Sequence, residues 1–460
     1  MTRCCKLLAV LIIFVWFTSC SAGFVQWHRS ASAAETLRRQ SSISKIILRE
    51  TSLLHNVDNI LEFVNTDFPS ISTTELIASH FNTMDQGTAE MLAGPLFGFS
   101  LFPYLAFIYF LNVDENDCPK GVVVGFAACL LFVFLTIPAA IAAKVLYDVS
   151  LANCDWLHGS AESILTITNL ATVIPFRQAL LAKSNIDNEL PVSSTSYAPT
   201  LWLVGVSTLF AVGTAFIPAM SQPLIHTKYL NGCLDLPIPF ENFGAHIEPD
   251  NALTVATWII HVSSLVEFLV AMGFCWKWAD LVKNPTWKGL TWGLLPLHSS
   301  GITACVSHLF YNQIPILVPL QAFLTCVGNT TAAYAAFRIA ISNGWKPNWS
   351  ILPNFVESCI RNSIEFNTLD ASNSAIESQS LVGFEDLGDV LANDSDIAFL
   401  IKLFVGSALL SYLIKYGELF LNFPYEASVP LSLFLILTPS ILNAYKWNRR
   451  SQDSSFDGWF

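Results

Sequence analysis

From Leu92 to Leu111 the chain runs twenty residues without a charge, and from Gly121 to Ala143 it runs twenty-three. Roughly 20 apolar residues are what a helix needs to cross hydrocarbon. The runs do not alternate apolar and polar positions as the strands of a membrane barrel do. Only a helix satisfies its own backbone in lipid without closing into a barrel. Repeated along the chain, the pattern predicts an all-α, polytopic membrane protein with eight or nine spans. They are placed at 91–112, 121–143, 157–176, 200–219, 253–273, 289–311, 315–341, 397–416 and 428–446. Trp258, Trp276, Trp278, Trp287 and Trp447 fall near predicted span ends, where an interfacial aromatic belt belongs.

Basic residues give an independent check, because Lys and Arg gather on the cis side of a membrane protein. With nine spans, twelve of them fall on the side of the C-terminus and three on the other. The C-terminus is therefore expected on the cis side, which is the stroma if the membrane belongs to a plastid. Composition agrees with a lipid solvent. Of 460 residues 53% are hydrophobic and 13% charged, and mean hydropathy is +0.50, whereas a globular chain carries roughly 25% charged residues. The net charge of -12 argues against nucleic acid as a partner. The partner expected first is the lipid bilayer itself.

Polar segments divide the chain. Residues 1–23 read as a signal peptide, with basic Arg3 and Lys6, an apolar core over 7–17 and small residues around Ala22. From Phe24 to Arg49 there are five Lys or Arg against one acid, a transit-like composition over 24–50. The two together resemble the bipartite presequence of complex plastids; a plain secretory signal or a lipoprotein signal ending at Cys20 are the alternatives. Residues 51–90 form a linker region, and 43–64 have the spacing of an amphipathic surface helix. A first membrane domain is expected over 91–220, a loop over 221–252, a second membrane domain over 253–341 and a C-terminal two-span hairpin over 397–450. Between these last two lies an acidic loop, 342–396, with nine acids against one Arg from Glu357 to Asp396.

Asp155, His158, Glu162, Thr166 and Asn169 share one helix face by their spacing. Such a stripe must face protein or water rather than lipid. Asp155, His158 and Glu162 have the donor types to hold a divalent cation, and His158 is also a candidate ligand for a haem or a chlorophyll magnesium. The competing reading is an interhelical hydrogen-bond seam. Glu267 falls mid-span, where a carboxylate is paired or protonated; Arg338 and Lys402 are its candidate cations, and a proton or ion relay is the functional alternative. His261, His298 and His308 lie in or beside two spans, and a shared site needs convergence from different helices. Gly328, Ala332 and Ala336 form a small-residue seam for close helix contact. No P-loop, H-E-x-x-H, G-x-S-x-G or dinucleotide fingerprint occurs on a suitable element, so catalytic residues are not assigned and no cofactor is specified.

Three segments carry a family resemblance: 261–267 (HVSSLVE), 287–298 (WKGLTWGLLPLH) and 328–338 (GNTTAAYAAFR). In order and spacing they resemble the "hypothetical chloroplast open reading frame 49"-like family of cyanobacteria and plastids. The tail segments 415–426 and 442–447 resemble its plant and algal members. Residues 92–181, with DWLHGSAE at 155–162, are similar to a second uncharacterised membrane domain of the same organisms. The resemblance implies a plastid membrane, thylakoid or inner envelope, and supplies no mechanism. It points to an accessory, assembly or cofactor- or pigment-handling factor of photosynthetic membrane complexes. A small ion or metabolite transporter is the alternative.

Overall fold

The structure, a computed structural model, describes residues 84–184, most of 202–214, 229–346, 396–420 and 428–452. The signal, transit-like and amphipathic segments and nearly all of the acidic loop lie outside these residues. Eight long helices appear among the described residues: α1 Gln86–Leu111, α2 Lys120–Tyr147, α3 Asp155–Ser184, α4 Val255–Leu281, α5 Lys288–Leu309, α6 Leu317–Ser342, α7 Asp396–Glu418 and α8 Val429–Gln452. A shorter apolar helix, Val204–Thr214, lies between α3 and α4. The fold is all-α. Six of the helices, α1 to α4, α7 and α8, are long and apolar enough to cross a membrane.

The helix ends follow local chemistry. Asp85 caps α1 by accepting the backbone N–H of Thr88 at 3.0 Å, and its bonds with Thr88 hold its carboxyl below the usual range. Pro119, which offers no N–H to lose, precedes α2. α2 stops at Asp148 in the left-handed region (φ 54°). Asn284 accepts the N–H of Thr286 and starts the turn into α5.

The described residues form one compact unit, and the helices do not pack in chain order. α1 lies against α6, α3 between α2 and α4, and α7 against α4, while α8 packs on α5. The two helices of the C-terminal segment therefore rest on different partners. α4 is the innermost span, with 67% of its apolar window buried. α5 and α6 are less apolar for a reason visible in their contacts. Ser300 meets Thr325 at 2.7 Å, and Asn329 donates to the carbonyl of Ser100. The small-residue seam on α6 lies where expected: Gly328 abuts Leu297 of α5, and Ala332 and Ala336 are fully buried.

Loops gather on two sides. On one, Asn343 reaches Asn116, Asn284 reaches Ser342, and Arg177 pairs with Asp396. On the other, Asn251 reaches Asn153, Asn312 reaches Asn153, and Lys415 reaches Glu248. The tryptophans depart from the belt expectation. All five are buried, and Trp276 and Trp447 lie 4.9 Å apart with Lys288 and Arg450 over the Trp276 ring. A large flat side chain near a helix end fills a gap between helices as readily as it meets a headgroup.

Candidate metal centre

The site begins with Asp155, the first residue of α3. Its Oδ2 accepts the N–H of Tyr229 at 2.9 Å, and its Oδ1 accepts the N–H of Thr254, the cap of α4, at 3.0 Å. The Thr257 hydroxyl donates to Oδ1 at 2.8 Å. A carboxylate suits the N-terminus of a helix, where amide hydrogens lack partners, and here one carboxylate serves two helix starts. α3 and α4 consequently begin at the same level and run parallel. Val204–Thr214 ends at that level too, with the Thr214 hydroxyl 3.3 Å from that of Ser160.

Parallel starts bring neighbouring turns of the two helices together, one turn out of step. His158, one turn into α3, meets His261, two turns into α4, with Nε2 atoms 3.0 Å apart. His308, in the last turn of the antiparallel α5, brings its Nε2 to 3.1 Å from the same His158 atom. All three side chains are buried, and their three ligand atoms lie within 4.8 Å of one another. The ring planes are tilted by 39°, 51° and 33°.

Hydrogen bonding does not account for this arrangement. A neutral imidazole nitrogen has either one hydrogen or one lone pair. The Nε2 of His158 therefore makes one good hydrogen bond with a neighbouring nitrogen, yet it touches two. A shared cation satisfies all three lone pairs at once. Zinc–nitrogen bonds of about 2.0–2.1 Å in a tetrahedral site place such nitrogens about 3.3 Å apart, within a few tenths of an ångström of the observed contacts. Neutral imidazoles suit zinc, copper, iron and nickel. Cys154, next to Asp155, is fully buried, burial pushes its thiol up to about 11, and it is not among the converging ligand atoms.

Of the carboxylates expected beside His158, Asp155 has both oxygens engaged, and Glu162 is half-buried one turn further along α3, within electrostatic reach of Cys129 and Cys305. Neither belongs to the converging group. The rest of the stripe is a seam with α4: Thr166 meets Ser264 at 2.9 Å, and Asn169 reaches the Ser264 carbonyl. Asn169 also hydrogen-bonds Glu267, which is buried on α4 with its Oε2 meeting no hydrogen-bond partner among the described residues. Arg338 is half-buried on α6 and Lys402 exposed on α7; the contact seen at Glu267 is the neutral Asn169. His298 lies ten residues before His308, about 15 Å along α5, and stacks on Phe268. The third histidine of the site is thus His308. Its proximity to a span end was its sequence signal; its distance of 150 residues from His158 hid the pairing.

Residues 93–181 match the family described as "Protein of unknown function (DUF3593)", and 252–338 match "Protein of unknown function (DUF2499)". His158 comes from the first and His261 and His308 from the second, so the site is shared between them. The tail segments at 415–447 lie beyond both matches. A Ycf49-like protein of Synechocystis sp. (strain ATCC 27184 / PCC 6803 / Kazusa) is 41% identical over 91 residues, 19% of this chain and 88% of that protein. The uncharacterized protein ycf49 of Cyanophora paradoxa is 33% identical over 87 residues, 18% of this chain and 85% of that protein. No solved structure matches the chain. With six membrane-length apolar helices and these relatives, this all-α membrane protein belongs to the Ycf49-like family.

Proposed function

We propose that this protein is an accessory factor of a photosynthetic membrane in a plastid, holding a metal or a metal-bearing cofactor or pigment at His158, His261 and His308. The observation that carries the reading is the meeting of three buried Nε2 atoms from three helices. The cyanobacterial and plastid relatives support the place, as does the signal followed by a basic transit-like segment. The parallel start of α3 and α4 supports a ninth crossing, because the chain leaving α3 must return across the membrane before α4 begins. Nine crossings leave the C-terminus on the side richer in Lys and Arg, the stroma in a plastid.

The test is recovery of tagged full-length protein from its own membrane in mild detergent, with elemental analysis and identification of co-purifying proteins. About one transition-metal ion per chain, or a bound pigment, is expected, together with photosynthetic partners, and His158→Gln should reduce the metal to background. Protein that arrives alone, colourless and metal-free overturns the reading. For the address, a fluorescent fusion to residues 1–60 should enter a complex plastid, and Phe24→Ala should hold it outside.

A second reading, transport of a small ion, is favoured by one feature: the polar groups continue from the histidines through Glu162 and Thr166 to Asn169 and Glu267. From His158 to Asn169 these twelve residues of α3 span about 17 Å, a little over half of a hydrocarbon core of about 30 Å. Reconstituted vesicles that pass no ion in a broad screen would exclude it.

A further inference from the structure

Beside Asp155 and Thr254, on the side where α3 and α4 begin, lies a cavity of about 370 Å³ that none of the three histidines lines. Asp155, Asp235, Glu241, Glu248 and Asp250 line it, against Lys415. Lys415 is itself neutralised, donating to Glu248 at 2.7 Å and to the Leu253 carbonyl at 2.6 Å. Asp155 and Asp235 are fixed at the start of α4, where Asp235 accepts the Val255 N–H. Glu241 and Asp250 are exposed. The vestibule therefore has an acidic field, and His158 follows its Asp155 wall by one helical turn, about 5 Å.

The histidines differ from a permanent structural site in two ways. The group has three ligands, the number found in open zinc sites, whereas structural sites have four. Metal-bound histidines also donate their second ring N–H to a carboxylate, carbonyl or water, and losing that partner weakens binding about 10–100-fold. The Nδ1 atoms of His158 and His308 are buried and meet no hydrogen-bond partner among the described residues. Such a site releases its ion more readily than one braced from outside.

We infer that the site takes a divalent transition-metal cation of the zinc class and exchanges it with the aqueous phase through this acid-lined vestibule. The inference rests on the metal-binding reading above. Neutral imidazole selects this class over magnesium and calcium, which prefer oxygen ligands. The carboxylates raise the local concentration of a dication and so its rate of entry, by electrostatic focusing in a cleft.

The experiment loads detergent-solubilised full-length protein with Zn²⁺ in a stopped-flow instrument, at low and high salt, and measures the stoichiometry at saturation. The Glu241→Gln, Asp250→Asn double variant should load about fivefold more slowly, with a flatter salt dependence, and still reach one Zn²⁺ per chain. Glu241→Lys with Asp250→Lys should load more slowly again. Added chelator should strip the ion from folded protein. If Zn²⁺ binds one per chain but the loading rate and salt dependence ignore these charges, the vestibule route is wrong and the metal site stands. If the unaltered chain takes up no Zn²⁺, both are wrong.

Discussion

Thr254, which caps α4, donates its backbone N–H to Asp155, the first residue of α3, at 3.0 Å. This bond joins the two family-matched regions where both helices start, and it sets their relative height. At about 1.5 Å per residue His158 lies about 4.5 Å and His261 about 10.5 Å beyond this bond, and the two imidazoles meet across that one-turn offset. The meeting of the three histidines depends on the cap that joins the two helices.

Replacing Asp155 with Ala should therefore destabilise the fold and disturb the site together. It strips partners from the buried N–H groups of Tyr229 and Thr254, and each unpaired buried group costs about 1–3 kcal/mol. A loss of about 2–6 kcal/mol is expected on that basis, read as a lower thermal midpoint in detergent. Asp155→Asn retains one acceptor oxygen and should lose less. An Ala variant that melts like the unaltered protein would show that the cap contributes little.

The histidines should act as a unit. His158→Gln, His261→Gln and His308→Gln should each remove Zn²⁺ binding, with the triple variant no worse, since two imidazoles hold the ion poorly. Zinc at 100 times its dissociation constant should stabilise the unaltered chain by about 2.7 kcal/mol and leave all three variants unmoved. Acidification should release the ion, because protons compete for the same nitrogens. If only one of the three substitutions affects zinc, the three do not form one site.

Much of the fold was legible from hydropathy. The predicted spans 253–273 and 289–311 became Val255–Leu281 and Lys288–Leu309, because long apolar runs leave a helix few alternatives in lipid. His158 was also legible as a polar residue on an apolar face. Its partners were not. Spacing along one helix grouped it with Asp155 and Glu162, but a carboxylate at a helix start is drawn to the nearest unpaired amides, and those were at Tyr229 and at Thr254, the cap of α4. The true neighbours come from helices 103 and 150 residues away. Only the packing order, α3 on α4 and α4 on α5, brings them together.

Gly328 tests that packing order at a distance from the metal. A Cβ at this position would lie 2.6 Å from the backbone nitrogen of Leu297 on α5, and backbone cannot swing aside as a side-chain tip can. Gly328→Ala should push α5 and α6 apart and destabilise the protein by about 1–3 kcal/mol, as overpacking does. Gly289, with nothing within 4 Å of its added Cβ, is the control, and Gly289→Ala should be tolerated. Equal melting of the two variants would remove the close-contact argument.

Cys154 decides whether the centre is built of histidine alone. It sits beside Asp155, one turn before His158, and burial pushes its thiol up to about 11. An ordinary thiol titrates near 8.5. At about pH 7.5 the higher value leaves roughly 300-fold less thiolate, and thiolate is the reactive form. Cys154, buried and held protonated, should therefore react with a maleimide far more slowly than the exposed Cys233 in metal-free protein. Direct ligation of a metal would deprotonate the thiol outright, so the comparison must be repeated with Zn²⁺ bound. With three histidine ligands, Cys154→Ser should keep one Zn²⁺ per chain and the unaltered stability gain. If Cys154→Ser loses the ion, the thiol is a fourth ligand, and the site is a closed one rather than an exchanging one.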